Sequence, residues 1–137
     1  MVQMCMRRTK PIPKKLLRVR RSKSGLGLFA TDTIASGMYI EYTGPIISTK
    51  EANTLLGARY LFEINKRWTI NGASRNNLAR YINHSCAPNC EAVLDGTHVY
   101  IKTLRELHRD EELVYDYGEE YFKEFIEPNG CTCNKCA

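Results

Sequence analysis

The sequence predicts a mainly β domain of the β-rich α+β kind, and three observations carry that prediction. Short runs of β-branched and aromatic residues alternate with Gly, Pro, Asn and Asp turns along most of the chain. Ala92-Val93-Leu94 and Val99-Tyr100-Ile101 flank Asp95-Gly96, a pair suited to the tight primed turn of a hairpin. Helix signals are few and short.

Residues 1–15 read as a loose basic arm broken by Pro11 and Pro13. Residues 16–20 have strand character. Ser24-Gly25-Leu26-Gly27-Leu28-Phe29 is a glycine turn entering a strand, and Ile34-Ala35-Ser36-Gly37 is a further turn. Residues 38–48 read as one strand, with Gly44-Pro45 as an interruption or edge feature because Pro cannot donate to a ladder. Ser48-x-x-Glu51 is a capping-box pattern, predicting a helix over about residues 49–56 that ends near Gly57. Residues 60–64 and 68–70 are two short strands joined by a polar turn. Residues 76–82 suit a short helix and residues 113–115 a small strand. Helical periodicity over 119–126 puts Tyr121, Phe122 and Phe125 on one apolar face, and Pro128-Asn129-Gly130 ends it. The chain thus divides into the arm, a domain over 16–126 and a cysteine-bearing tail over 127–137.

At 137 residues the chain is one domain, long enough to bury a core. Hydrophobic content of 43% and charged content of 26% fit a globular protein. No apolar run approaches the ~20 residues of a membrane span. The first six residues are too short for a signal peptide, and charges follow at once, so an intracellular protein is expected unless another export route handles it: nuclear if eukaryotic, otherwise cytoplasmic or an exported effector. The net charge of +5 is uneven. Residues 1–23 hold nine Lys or Arg and no acid, leaving 11 basic against 15 acidic side chains, a net of −4. Such an arm suits nucleic acid, and such a body suits a cationic peptide; a solvated tail is the plainer reading of the arm.

Cysteine usage is high, at six. Cys131, Cys133 and Cys136 form C-x-C-x-x-C, Cys86 and Cys90 sit mid-chain, and Cys5 stands alone. Without a secretory signal, metal binding explains this layout better than a disulfide framework. Two other stretches are unusually polar: Arg80-Tyr81-Ile82-Asn83-His84-Ser85-Cys86-Ala87-Pro88-Asn89-Cys90 and Glu112-Leu113-Val114-Tyr115-Asp116-Tyr117-Gly118. Buried polar groups need partners, so both point to a lined pocket rather than a scaffold.

In these motifs, and in their order, the chain resembles the SET-domain protein lysine methyltransferases over roughly residues 16–137. Gly25-Leu26-Gly27 matches the family's Gly-x-Gly turn and Glu41-Tyr42-Thr43-Gly44 its Tyr-x-Gly strand. Residues 80–90 match its Arg-Phe-Ile-Asn-His-Ser-Cys segment, with Tyr81 for Phe. Residues 112–117 match Glu-Leu-x-Tyr-Asp-Tyr, and the terminal cysteines resemble its post-SET tail. The chain shows no cysteine-rich pre-SET region and no reader domain, so a minimal standalone module or an excised one is expected. The resemblance implies small β-sheets around a pseudoknot, with the Asn-His-Ser segment threaded under a C-terminal loop.

It also implies methyl transfer from S-adenosylmethionine to a lysine amine. A lysine of pKa about 10.4 lies ~3.4 units from neutrality at pH 7, roughly 4.6 kcal/mol. A narrow apolar channel beside a sulfonium favours the neutral amine without a side-chain base. By motif position Tyr42, Tyr115 and Tyr117 would line that channel, with Tyr117 as the active-site tyrosine; core tyrosines are the alternative. Tyr115 stands at the family's Phe/Tyr switch, implying mainly monomethylation. Ser24, Gly25, Leu26, Tyr60, Arg80, Asn83, His84 and Tyr117 are the expected cofactor contacts, with a structural role the alternative for His84. Arg80 and Glu112 are expected to form an internal ion pair, the alternative being that either faces solvent.

Zinc ligation by Cys86, Cys131, Cys133 and Cys136 follows from the same resemblance. The family's tail is C-x-C-x4-C, however, so Cys90 or Cys5 stays open as a replacement for Cys86, and a redox C-x-x-C is the alternative to a metal. The implied substrate is a lysine-bearing basic protein, histone-like by the acidic body, with ribosomal and nucleoid proteins open. A catalytically inactive SET-like module binding peptide or nucleic acid is the rival reading.

Overall fold

The computed structural model describes residues 2–3, 9–23, 25–55, 59–119, 123 and 126–133. Among the described residues eleven short strands form three sheets, and there is one short α-helix. β1 (Val2–Gln3), β2 (Leu17–Ser22), β3 (Gly25–Ala30), β4 (Tyr39–Tyr42) and β5 (Ile46–Ser48) precede α1 (Thr49–Ala52). β6 (Leu61–Glu63), β7 (Trp68–Asn71), β8 (Asn83–His84), β9 (Cys90–Asp95), β10 (His98–Thr103) and β11 (Val114–Tyr115) follow. The strand-rich fold of small sheets is the predicted one.

The hairpin expected around Asp95-Gly96 forms, with Val99 opposite Leu94 and Ile101 opposite Ala92. β4 adds to its outer edge, Val99 facing Tyr42 and Ile101 facing Ile40. Val99 and Ile101 are fully buried and sit in the core with Leu28, Ile34, Ile82, Leu107 and Leu113. β2 and β3 pair from Leu17–Ala30 to Ser22–Gly25. Along the free edge of β3, Ala30 N–H donates to Glu111 O at 2.9 Å and Leu113 N–H to Leu28 O at 2.8 Å. The third sheet runs β5-β7-β6.

Several elements differ from the sequence reading for local reasons. The strand read over 38–48 is two strands in two sheets. Gly44 passes so close to the Asn71 carbonyl that no side chain would fit, and Asn71 N–H bonds Pro45 O at 2.9 Å, so the chain leaves the large sheet there. α1 starts as expected, with Ser48 accepting from Glu51 N–H at 3.1 Å, but it ends at Ala52. Thr54 Oγ1 bonds Glu51 O at 2.7 Å, a side-chain competitor for the helical ladder; Gly57 lies outside the described residues. The helix read over 76–82 is a 3-10 turn at Leu78–Tyr81. The arm is not loose throughout: Ile12 is buried, Ile12 N–H donates to Tyr39 O at 2.7 Å, and β1 pairs in parallel with β9. Tyr121, Phe122 and Phe125 of the helix read over 119–126 lie outside the described residues. No helix among the described residues is long and apolar enough to cross a membrane.

Candidate active site

The two polar runs meet in one place. β11 lies between β8 and β9, parallel to both, with Val114 opposite Asn83 and Tyr115 opposite both His84 and Cys90. β8 and β9 are neighbours in sequence, so a much later strand is inserted between them. Asn89 fastens the insertion. Its Nδ2 donates to Glu112 O at 2.8 Å, its Oδ1 accepts from Val114 N–H at 2.9 Å, and the side chain is buried. Ser85 N–H adds a bond to Tyr115 O at 3.0 Å.

This register delivers Tyr117 to His84. The two rings stand edge-on with centroids 5.4 Å apart, and the Tyr115 ring packs tilted against that of Tyr117 with centroids 4.8 Å apart. The Tyr117 hydroxyl donates to the Ile82 carbonyl, and Tyr117 N–H donates to His84 Nδ1 at 3.1 Å. Only 5% of the His84 side chain is exposed. Burial pushes its imidazole below the ordinary pKa, and Asp116, at 3.8 Å, pulls the other way. Tyr42 has other partners: its hydroxyl donates to Tyr60 O at 2.8 Å and its ring lies 5.3 Å from Phe62.

Asn83 ties this centre to the β2–β3 turn. Its Nδ2 reaches Leu26 O at 2.9 Å and Glu112 Oε2 at 2.8 Å. Glu112 Oε1 accepts from Ser22 Oγ at 3.0 Å. Glu112 is therefore occupied, and the expected pair with Arg80 does not form. Arg80 instead donates to Ala73 O and lays its guanidinium 4.1 Å over the Tyr60 ring. Its Nε is buried with no acceptor among the described residues. Gly25, at φ +102°, opens the turn onto empty space, and Leu26 is exposed; Ser24 lies outside the described residues.

Beside this centre stands a group with metal-ligand chemistry. Ligand atoms of His84, Cys86 and Cys131 all lie within 4.8 Å of one another, and His84 Nε2 is 3.4 Å from Cys86 Sγ. Cys133 is buried nearby in sequence; Cys136 and Cys5 lie outside the described residues. Cys90 is a core thiol, 1% exposed, its pKa pushed up to about 12 by burial. That environment favours a neutral thiol over the thiolate a metal needs.

Two contributors escaped the sequence reading. Asn89 belonged to a noticed motif but had no role, and Asn77 had none either. Asn77 is 1% exposed, accepts from Thr43 N–H at 3.1 Å and donates to Gly72 O at 3.0 Å. The signal available for both was the same: an Asn flanked by residues of a buried element must satisfy its amide locally.

Known proteins resemble this chain over most of its length. The SET domain family model matches residues 25–118. A histone-lysine N-methyltransferase, H3 lysine-4 specific, of Aspergillus oryzae is 37% identical over 134 residues, covering 88% of this chain and 11% of that protein. The protein of the same description from Saccharomyces cerevisiae is 34% identical over 133 residues, 88% of this chain and 12% of its own. The histone-lysine N-methyltransferase trithorax of Drosophila melanogaster is 36% identical over 124 residues, 82% of this chain and 3% of that protein. The chain thus spans about a tenth or less of the length of these relatives.

Proposed function

The chain belongs to the SET-domain family, and from that premise we propose that it is an S-adenosylmethionine-dependent protein lysine N-methyltransferase acting on histones or other basic proteins. The observation that carries this reading is the insertion of β11, which sets Tyr117 against His84 and Tyr115. When bound, S-adenosylmethionine supplies a methyl group on a positively charged sulfur. Two features of the chain fit such a ligand. The buried Arg80 Nε is a donor in want of an acceptor, which a carboxylate would provide. The open turn at Gly25–Leu26, tied to Asn83, offers backbone groups beside it.

The residues around Tyr117 then have distinct tasks. Tyr115, 6% exposed, and Tyr117 exclude water from an entering lysine, which favours the neutral amine. The Tyr117 hydroxyl is oriented by Ile82 O, so its oxygen lone pairs present an acceptor of fixed direction. Fixed alignment of reacting groups is worth several kcal/mol, of order 7 or more in the best cases. Tyr42, the third expected channel tyrosine, is buried and holds the Tyr60 backbone through its hydroxyl, and the Tyr60 ring carries Arg80.

The hydroxyl of Tyr115 takes space that a second or third methyl would need, so monomethyl-lysine is the main expected product. Cys86, Cys131, Cys133 and Cys136 would hold zinc; thiolates are soft ligands suited to it, and Cys86 and Cys131 stand close enough, within 4.8 Å, to share an ion. Relatives described as H3 lysine-4 specific favour a histone H3 tail, and with it a nuclear setting.

The test is incubation with methyl-labelled S-adenosylmethionine and core histones, with peptide mass spectrometry of the products. Monomethyl-lysine on histone is the expected result, shifting to higher states in Tyr115→Phe. No labelled lysine on any basic protein would end the enzyme reading; trimethyl-lysine from the unaltered protein would end the monomethyl one.

A further inference from the structure

Two hydrogen bonds run in line from the cysteine cluster to Tyr117, through a single imidazole. Tyr117 N–H donates to His84 Nδ1 at 3.1 Å. A backbone amide nitrogen can only donate, so Nδ1 carries no hydrogen and the ring's hydrogen is on Nε2. Nε2 lies 3.4 Å from Cys86 Sγ and faces it as a donor. The ring is nearly enclosed, with 5% of its side chain exposed, and Tyr117 packs edge-on against it. It therefore cannot turn to serve one end without losing the other.

Cys86 Sγ in turn lies within ligand reach of Cys131. A metal held between them restricts Cys86 to one rotamer, whereas the same side chain without metal has staggered alternatives. We infer that His84 is a positioning residue that couples the metal-bound Cys86 to the backbone of Tyr117, so that filling the cysteine cluster sets where the active-site tyrosine stands. This goes beyond the assignment of zinc ligands and rests on the metal reading above. The coupling is reciprocal: whatever orders Tyr117 also tightens the metal.

The two halves of the imidazole can be replaced separately. His84→Asn can set Oδ1 near the place of Nδ1, keeping the acceptor for Tyr117 and losing the donor to Cys86. His84→Gln keeps a donor near the place of Nε2 and loses the acceptor. Nitrogen-15-labelled full chain is stripped with a chelator and titrated with zinc while the Tyr117 amide resonance is followed. It is expected to move with zinc occupancy in the unaltered protein and to stop responding in both variants.

Zinc affinity, read by competition with a chromophoric chelator, is expected to fall about tenfold or more in His84→Asn and much less in His84→Gln. Cobalt(II) in place of zinc is expected to keep the number and intensity class of its d–d bands in His84→Asn, since the ring lies outside the ligand set, while the thiolate charge-transfer band shifts slightly with loss of the N–H···S bond. A Tyr117 amide indifferent to zinc in the unaltered protein overturns the coupling, as does an undiminished response in both variants. Cobalt d–d bands that change in His84→Asn to those of a different ligand set make the ring a ligand and also overturn it. Failure to take up zinc at all overturns the metal reading together with the coupling. None of these readouts uses methyl transfer, so they stand apart from any failure of the enzyme reading.

Discussion

Asn83 and Glu112 show how a few polar atoms fix this site. One amide nitrogen reaches both a turn carbonyl and a carboxylate, and that carboxylate also accepts from Ser22. Removing the amide leaves the partly buried Glu112 with one partner fewer. Asn83→Ala is expected to cost about 1–3 kcal/mol in denaturant unfolding and to weaken S-adenosylmethionine binding in calorimetry. Unchanged values in both would detach Asn83 from the site. Gly27 belongs to the same knot. A methyl group there would stand 3.0 Å from Glu112 Cδ and 3.0 Å from Ser22 Cβ. The carboxylate end is held by hydrogen bonds and cannot simply swing away. Gly27→Ala is expected to destabilise by about 1–3 kcal/mol through overpacking, with midpoint denaturant concentration as the readout.

Among the elements, the insertion of β11 matters most and is the least local. Asn89→Ala would strip partners from Glu112 O and Val114 N–H at once. At about 1–3 kcal/mol for each buried group left unsatisfied, a loss near 3 kcal/mol is expected, with amide exchange accelerated first in β8 and β11. Exchange accelerated uniformly instead would show that Asn89 does not fasten this register. The turn before β11 carries an acid-sensitive contact. Arg105 beside Glu111 holds that carboxyl below its ordinary value of 4.5, so the contact's contribution is complete above about pH 4.5 and is lost as pH falls through the lower folded value. Arg105 is 55% exposed, which limits the pair to about 1 kcal/mol or less. The melting-temperature gap between the unaltered protein and Glu111→Gln should therefore be small at pH 7 and close below about pH 4.5. A gap that widens in acid would contradict the sign.

At the scale of the whole molecule, what could be read from the sequence was whatever is decided nearby. Asp95-Gly96 set its hairpin and Ser48 with Glu51 set the start of α1, because turn and cap chemistry act within a few residues. The partners of Arg80 and Glu112 could not be read. Tyr60 offered an aromatic face to one and Asn83 an amide to the other, and both choices depend on sheets assembled from distant segments. Nor could the pairing of β8 be read, since Asn83-His84 carries no strand signal and is extended only because β11 lies beside it. The charge pattern, a basic start before an acidic body, survives as a whole-chain property: substrate capture should weaken as salt rises. All of this converges on Tyr117, delivered to His84 by a strand from elsewhere. The most direct test is the rate of labelled methyl transfer to histone by the unaltered protein and by Tyr117→Phe, at matched folding judged by thermal unfolding. A fall of about a hundredfold or more is predicted from lost alignment. A variant as fast as the unaltered protein would contradict the account.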